Sequence, residues 1–463
     1  MNEVIGFILD IVKAPAFLVA LIALIGLALL RKPAPDMIKG TLKTFVGFLV
    51  LSGGAGIVTD ALEPLGGMFQ AGFNIRGIVP NNEAIVSVAL QQYGSTTALI
   101  MFFGMLVNIL IARFTSFKHI FLTGHHTLYM AAMLAVIFTV AGFTDFGLIA
   151  VGALALGLVM SLSPFILQKY MREMTGSDGV GLGHFGGGGY WMAGFTGRML
   201  NRSRAKVHST EDVNFPKGLA FLRDSTVAIA LTMMIVYLIV AFAAGQGYIT
   251  ENYPDGGNLV VFALTKGGQF AAGVYVILQG VRLVLNEIVP AFKGISEKLV
   301  PNSIPALDCP IVYTFAPNAV LIGFLSSFAG GLVSMAIMAF TGLPVVIPGV
   351  VPHFFCGATA GVFGNATGGL KGSVAGSFIQ GIAISFLPIA LMPVLGSLGF
   401  ANTTFSDFDF TIMGIVFGGL GANAGQIGII AGLAISFALM IGYSIVTKGR
   451  SNKAAVEEAS VAK

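Results

Sequence analysis

Apolar runs such as "APAFLVALIALIGLALL", "TALIMFFGMLVNILIA", "FGLIAVGALALGLVMSLSPFIL", "TVAIALTMMIVYLIVAF" and "GQIGIIAGLAISFALMIGYSIV" recur along the chain, each near the ~20 residues a helix needs to cross ~30 Å of hydrocarbon. Between them there is little to make a soluble surface. Charged residues are 10% of the sequence, hydrophobic residues 56%, and mean hydropathy is +0.88, whereas soluble domains carry about 25% charge. The chain therefore reads as an all-α polytopic membrane protein with about eleven spans. Its 62 glycines and 18 prolines predict broken, re-entrant or tightly packed segments, because irregular backbone survives at membrane depth only where protein or a water-filled cavity satisfies its polar groups. Broken helices fit a transporter better than a receptor.

Lys and Arg in short loops orient such a chain. Arg31, Lys32, Lys39 and Lys43 follow the first run, Arg198, Arg202, Arg204 and Lys206 crowd a mid-chain loop, and Lys448, Arg450 and Lys453 follow the last. All should be cytoplasmic, with Glu3, Asp10 and the N-terminus outside; such an odd number of crossings favours eleven. These loops account for the net charge of +4 without a nucleic-acid partner. The first run lacks a small-residue cleavage site and reads as a retained span. Cys309 and Cys356 offer neither a disulfide framework nor metal spacing. No segment resembles a soluble catalytic domain, and no cofactor is expected. Residues 1 to 446 form one membrane domain, and 447 to 463 a polar cytoplasmic tail.

An internal repeat is visible. "IVPNNEAIV" and "SIPALDCPIV" both run proline, two residues, acid: Pro80 with Glu83, and Pro305 with Asp308, are displaced by 225 residues. Gly124 and Gly349 share that shift, while Gly54 with Gly280 and Pro64 with Pro290 are 226 apart. A rival register matches "VPNN" to "VPNS". The favoured reading is two halves, about 10 to 215 and 218 to 446; if each has five spans, an odd number, they sit inverted in the membrane. Inverted halves place a substrate site near the midplane, where their broken segments meet.

Polar groups able to line that site are few, since ionisable residues at membrane depth are costly and face cavities or partners. Glu83 and Asp308 stand in equivalent proline-led breaks; each can line the site, cap a half-helix N-terminus, or do both. In "LTGHHTLYM", His125 and His126 point about 100° apart, so at most one faces a given cavity; His125 is favoured, with Tyr129 one turn beyond. His184 lies in "GVGLGHFGGGGYWMAG", either a flexible loop or backbone brought close to a ligand. Arg282 and Glu287 read as an internal ion pair. His119 and His208 read as loop surface, His353 does not align with His125, and "GNATGGLKGS" reads as a loop without P-loop spacing.

The segments "IKGTLKTFVGFLVLSGGAGIV", "FLTGHH", "ILQGVRLVLNEI", "AFKGISEKLVPNSIPALDCPIVYTFAPNAVLIGF" and "VIPGVVPHFFCGATAGVFGNATGG" resemble the ascorbate-specific enzyme IIC permeases of the bacterial sugar phosphotransferase system. The resemblance runs from about residue 14 to 446. It implies an inner-membrane homodimer with a V-shaped interface domain and a mobile core domain that carries the sugar inward. It also implies phosphorylation of the imported sugar by a separate enzyme IIB, itself charged by enzyme IIA. The family's sugar-contacting positions fall on Gly54, Glu83, His125, Tyr129, His184, Asp308 and Cys309. The chain departs from ascorbate-type members at "GHFGGGG" and at Tyr129, where those carry glutamines. A carboxylate at position 83 disfavours an anionic ligand unless it is protonated or paired. A proton-coupled transporter with Glu83 or Asp308 as carrier is the alternative; a channel fits less well.

Overall fold

The two proline-led breaks foreseen at Pro80 and Pro305 become short strands, and these, with four further strands, organise the helices. The computed structural model describes residues 15–74, 77–202, 207–213, 225–253, 256–396 and 403–461. Glu3, Asp10, Arg204 and Lys206 lie outside them, as do the side chains of Lys448, Arg450 and Lys453. In chain order the elements are α1 (Pro15–Leu29), α2 (Ala34–Phe73), β1 (Gly77–Pro80), α3 (Asn82–Phe114), β2 (His119–Phe121), α4 (Gly124–Val140), α5 (Asp145–Thr175), β3 (Gly181–Leu182) and α6 (Gly187–Leu200). There follow α7 (Ser225–Asn252), α8 (Leu259–Leu299), β4 (Ile304–Leu307), α9 (Pro310–Tyr313), α10 (Pro317–Thr341), β5 (Val345–Val346), α11 (Val350–Leu391), β6 (Thr403–Thr404) and α12 (Phe408–Val461). Among the described residues, 8 helices are long and apolar enough to cross a membrane. The chain is a mostly helical, polytopic membrane protein.

Helix ends follow local chemistry. Asn81 caps α3, its side-chain oxygen accepting the Ala84 N–H at 2.7 Å. The left-handed Gly176 and Gly342 close α5 and α10. Each strand would strand its backbone groups in an apolar interior, so the strands pair. Two parallel sheets result, ordered β5-β1-β6 and β2-β4-β3. Ile78 lies beside Val346 and Val79 beside Thr403; Ile120 lies beside Pro305 and Leu182 beside Leu307.

Helices α2 and α8 cross closely through small residues. A Cβ on Gly47 would meet the Gly280 carbonyl at 2.9 Å, and one on Gly54 the Ile277 nitrogen at 2.7 Å and the Gly273 carbonyl at 3.1 Å. Helix α4 is buried along nearly its whole length. Late α12, by contrast, exposes Ile427, Leu439 and Ile445, an apolar surface that suits lipid.

Three readings of the sequence are corrected. "GNATGGLKGS" is helical, inside α11, and bends at Gly369 with φ +62°; the bend makes room for the His208 carbonyl, which accepts the Leu370 N–H at 2.8 Å. His119 is buried and shares a 2.9 Å hydrogen bond with Gln168. Glu287 pairs with Lys43 at 3.5 Å, which leaves Arg282 to face elsewhere. His208 is exposed, and Cys309 and Cys356 are buried free thiols.

Candidate functional site

Strands β1, β2, β3, β4 and β6 run out toward one place, so the residues just after them converge: Asn82 and Glu83, His125 and His126, His184, Asp308, and Asp407. They line a cavity of about 510 Å3, within the ~300–1,000 Å3 common for small-molecule sites. Tyr129 lines it from α4, and Arg282 and Asn286 from α8.

Hydrogen bonds fix the imidazoles. The Phe185 N–H donates to Nδ1 of His126 at 3.2 Å, and the Gly186 N–H to Nδ1 of His184 at 3.2 Å. A ring nitrogen that accepts carries no hydrogen, so in each neutral ring Nε2 bears it. Nε2 of His126 lies 3.9 Å from Asp407 Oδ2, and Nε2 of His125 lies 3.7 Å from Asp308 Oδ2. The His126 ring also stacks on Phe410 at 5.3 Å and lies 3.7 Å from the His184 ring. The Tyr190 hydroxyl, 2.7 Å from His184 Nδ1, backs that ring from behind. Imidazole N–H donors beside carboxylate acceptors match a ligand rich in hydroxyls.

Three sets, His125/His126/Asp308, His126/His184/Asp407 and His184/Asp308/Cys309, bring ligand-type atoms within 4.8 Å of one another. A metal-bound imidazole uses one nitrogen's lone pair and donates the other N–H to a carbonyl or carboxylate. In His126 and His184 the hydrogen sits on the inward nitrogen and the outer one accepts, so these sets fit an oxygen-bearing organic ligand better than a metal.

Of the four glycines after His184, Gly186 caps α6 and the other three form its first turn. Asp409, at the start of α12, accepts the Gly187 N–H at 3.1 Å, the Gly188 N–H at 2.7 Å and the Ser163 hydroxyl at 2.8 Å. The bare glycines admit this carboxylate: a Cβ on Gly187 would meet Asp409 Oδ2 at 3.0 Å. Asp409 thereby seats α6 and holds the turn carrying His184.

Of the residues expected from sequence, Glu83, His125, Tyr129, His184 and Asp308 share the cavity wall. Gly54 does not; it is spent on the contact between α2 and α8. Cys309 is buried behind the wall, its Sγ 3.5 Å from the Tyr190 hydroxyl. Sequence reasoning missed Asn82 and Asp407, and its expectation that at most one of His125 and His126 faces a given cavity is corrected, since both line this one. The doublet Asn81-Asn82 and the acid in "FSDFDF" were the available signals. Arg282 was assigned to a pair it does not make.

A family model described as the PTS system sugar-specific permease component, EIIC-GAT, matches residues 10–409. The ascorbate-specific PTS system EIIC component of Mycoplasma pneumoniae is 28% identical over 408 residues, 76% of this chain. The chain spans 61% of that relative's length. With apolar helices enclosing a polar cavity and a family match over most of its residues, the chain belongs to the sugar-specific permease components of the phosphotransferase system, the EIIC-GAT family.

Proposed function

We propose that this permease carries L-ascorbate, or a closely related small sugar acid or polyol, inward across the bacterial inner membrane for phosphorylation by a separate enzyme IIB. The observation that carries the reading is the alternation of imidazole N–H groups with Asp308 and Asp407 around one cavity. The likeness to an ascorbate-specific relative supports the choice of sugar. Asp308 would hold a ligand hydroxyl by a charge-assisted hydrogen bond, worth about 1.5–3 kcal/mol, with His125 and His184 completing the polar set. Asp308→Asn and His125→Ala should each weaken equilibrium binding of labelled L-ascorbate to purified protein by roughly 10- to 100-fold. Saturable binding that neither change weakens sinks the site; no binding by the parent sinks the sugar.

Two features support the paired-repeat architecture. Matching β1 to β4, β2 to β5 and β3 to β6 turns one sheet order, β5-β1-β6, into the other, β2-β4-β3. Gly47 and Gly54 are also each 226 residues from Gly273 and Gly280, and the contact Gly47–Gly280 then maps onto Gly273–Gly54. Both are what a two-fold axis through the crossing of α2 and α8 requires. Eleven spans follow if α1, α4 and the second limb of α11 cross as well as the 8 longer apolar helices. In this reading the N-terminus is outside, the C-terminus cytoplasmic, and the protein a homodimer. The wall that carries Asp308 and the histidines slides as an elevator past α8.

Enzyme IIB is assigned to the basic face near Arg198 and Arg202. Arg198 is partly engaged, its guanidinium 2.5 Å from Glu173, and Arg202 is exposed. Reversing both to glutamate should lower phosphorylation-coupled uptake at least several-fold and flatten its salt dependence, leaving ascorbate binding intact. Uptake at the parental rate would move the docking site elsewhere.

A further inference from the structure

The charges facing the cavity do not balance. Glu83, Asp308 and Asp407 stand against Arg282, and an anionic sugar acid would enter a site already negative, away from the screening of bulk water. Two of the three carboxylates have partners. Asp308 faces His125, and its Oδ1 accepts the Cys309 N–H at 2.7 Å. Asp407 faces His126, and its Oδ1 accepts the Ser406 hydroxyl at 2.9 Å. Glu83 differs: the residue is 6% exposed and its Oε2 is buried with no hydrogen-bond partner among the described residues. The Tyr129 hydroxyl, on the same cavity wall, is buried and unpartnered too. Orphaned polar atoms lining a cavity are satisfied by what fills it.

We propose that Glu83 takes up a proton when the anionic sugar binds, so that the site holds the sugar anion beside a neutral carboxylic acid. The inference rests on the proposed substrate. The balance is simple: the carboxylate and a solvent proton give the acid, the ligand remains a monoanion, and binding leaves the net charge of the site unchanged. The new O–H donates to a ligand oxygen, a role an ionised Glu83 cannot perform. Among the other carboxylates of the cavity, Asp407 and Asp308 each already accept a hydrogen bond, from the Ser406 hydroxyl and the Cys309 N–H. His126 keeps its hydrogen on the side of Asp407, and Arg282 lines the same cavity.

The test adds L-ascorbate to the full-length purified protein in weak buffer and counts protons with a pH indicator, in parallel with affinity across pH. Above the pH at which free Glu83 is already protonated, about one proton should be absorbed per ascorbate bound, and Kd should rise roughly tenfold per pH unit. Below that pH the uptake should vanish. Glu83→Gln, an amide that donates at every pH, should bind ascorbate with no proton uptake and without the tenfold slope; Asp407→Asn should retain the uptake wherever it binds. Binding by the parent without proton uptake overturns the inference alone. Uptake that survives in Glu83→Gln and disappears in Asp407→Asn moves the proton to Asp407 and overturns it equally. No ascorbate binding by the parent overturns the substrate reading and this inference together.

Discussion

Asp409→Ala is expected to melt well below the parent in mild detergent and to lose sugar binding with it. The carboxylate is buried and accepts three hydrogen bonds, two from the first backbone N–H groups of α6 and one from Ser163 on α5. Its own N–H donates to the Phe185 carbonyl at 2.9 Å. Removing it leaves two buried donors and one partly buried donor unsatisfied, at about 1–3 kcal/mol for each buried one, and withdraws a negative charge from a helix N-terminus. A loss of roughly 3–5 kcal/mol is anticipated, as when one member of a buried charged network is deleted. Binding falls too, because Asp409 holds the turn that aims His184. Asp409→Asn keeps one acceptor oxygen and should recover part of both. Thermal unfolding followed by size-exclusion chromatography is the measurement; a variant that melts within a degree or so of the parent removes Asp409 from this role.

The second large effect is steric. At Gly280 a Cβ would meet the Gly47 carbonyl at 2.6 Å and press on the Leu51 nitrogen, both backbone atoms. A leucine there cannot be accommodated by a side-chain rotation, so α2 and α8 must part. Overpacking usually costs about 1–3 kcal/mol, and separating two 40-residue-class helices, Ala34–Phe73 and Leu259–Leu299, should reach the top of that range. Transport should fall with it, since α8 supplies Arg282 and Asn286 to the cavity. Gly53, one residue from Gly54, has nothing within 4 Å of its would-be Cβ, and Gly53→Leu is the matched control. Equal melting temperatures for Gly280→Leu and Gly53→Leu would remove the close crossing as a source of stability.

What the sequence disclosed depended on how conspicuous a residue is against a greasy background. Glu83 and Asp308 stood out because a carboxylate in an apolar chain needs a reason, and the proline before each marked a break. The helical class and the polar centre followed from the same contrast. Asp407 and Asp409 were hidden by their setting, a stretch of serine, threonine and aspartate that looks like a solvated loop until β6 pairs with β1 and carries both inside. The five-residue spacing of Arg282 and Glu287 says nothing about Lys43, 244 residues away from Glu287 in the chain, so the partner was wrong. Gly54 was legible as unusual, but a glycine carries no chemistry that separates helix packing from ligand approach; in the fold it lies against Ile277 of α8.

The interlaced sheets bear on how the chain is made. β1 sits between strands supplied from residues 345–346 and 403–404, and the Val79 carbonyl accepts the Thr403 hydroxyl across 324 residues of chain. During synthesis the earlier segment reaches the membrane long before the later one exists. Its backbone groups must wait, hydrated or shielded by the insertion machinery, until the ribosome has delivered residues far downstream. Maturation of this protein is thus a matter of timing as much as of hydropathy. A ribosome stalled just before residue 345 would leave a fully inserted first half whose central strand has nothing to hold.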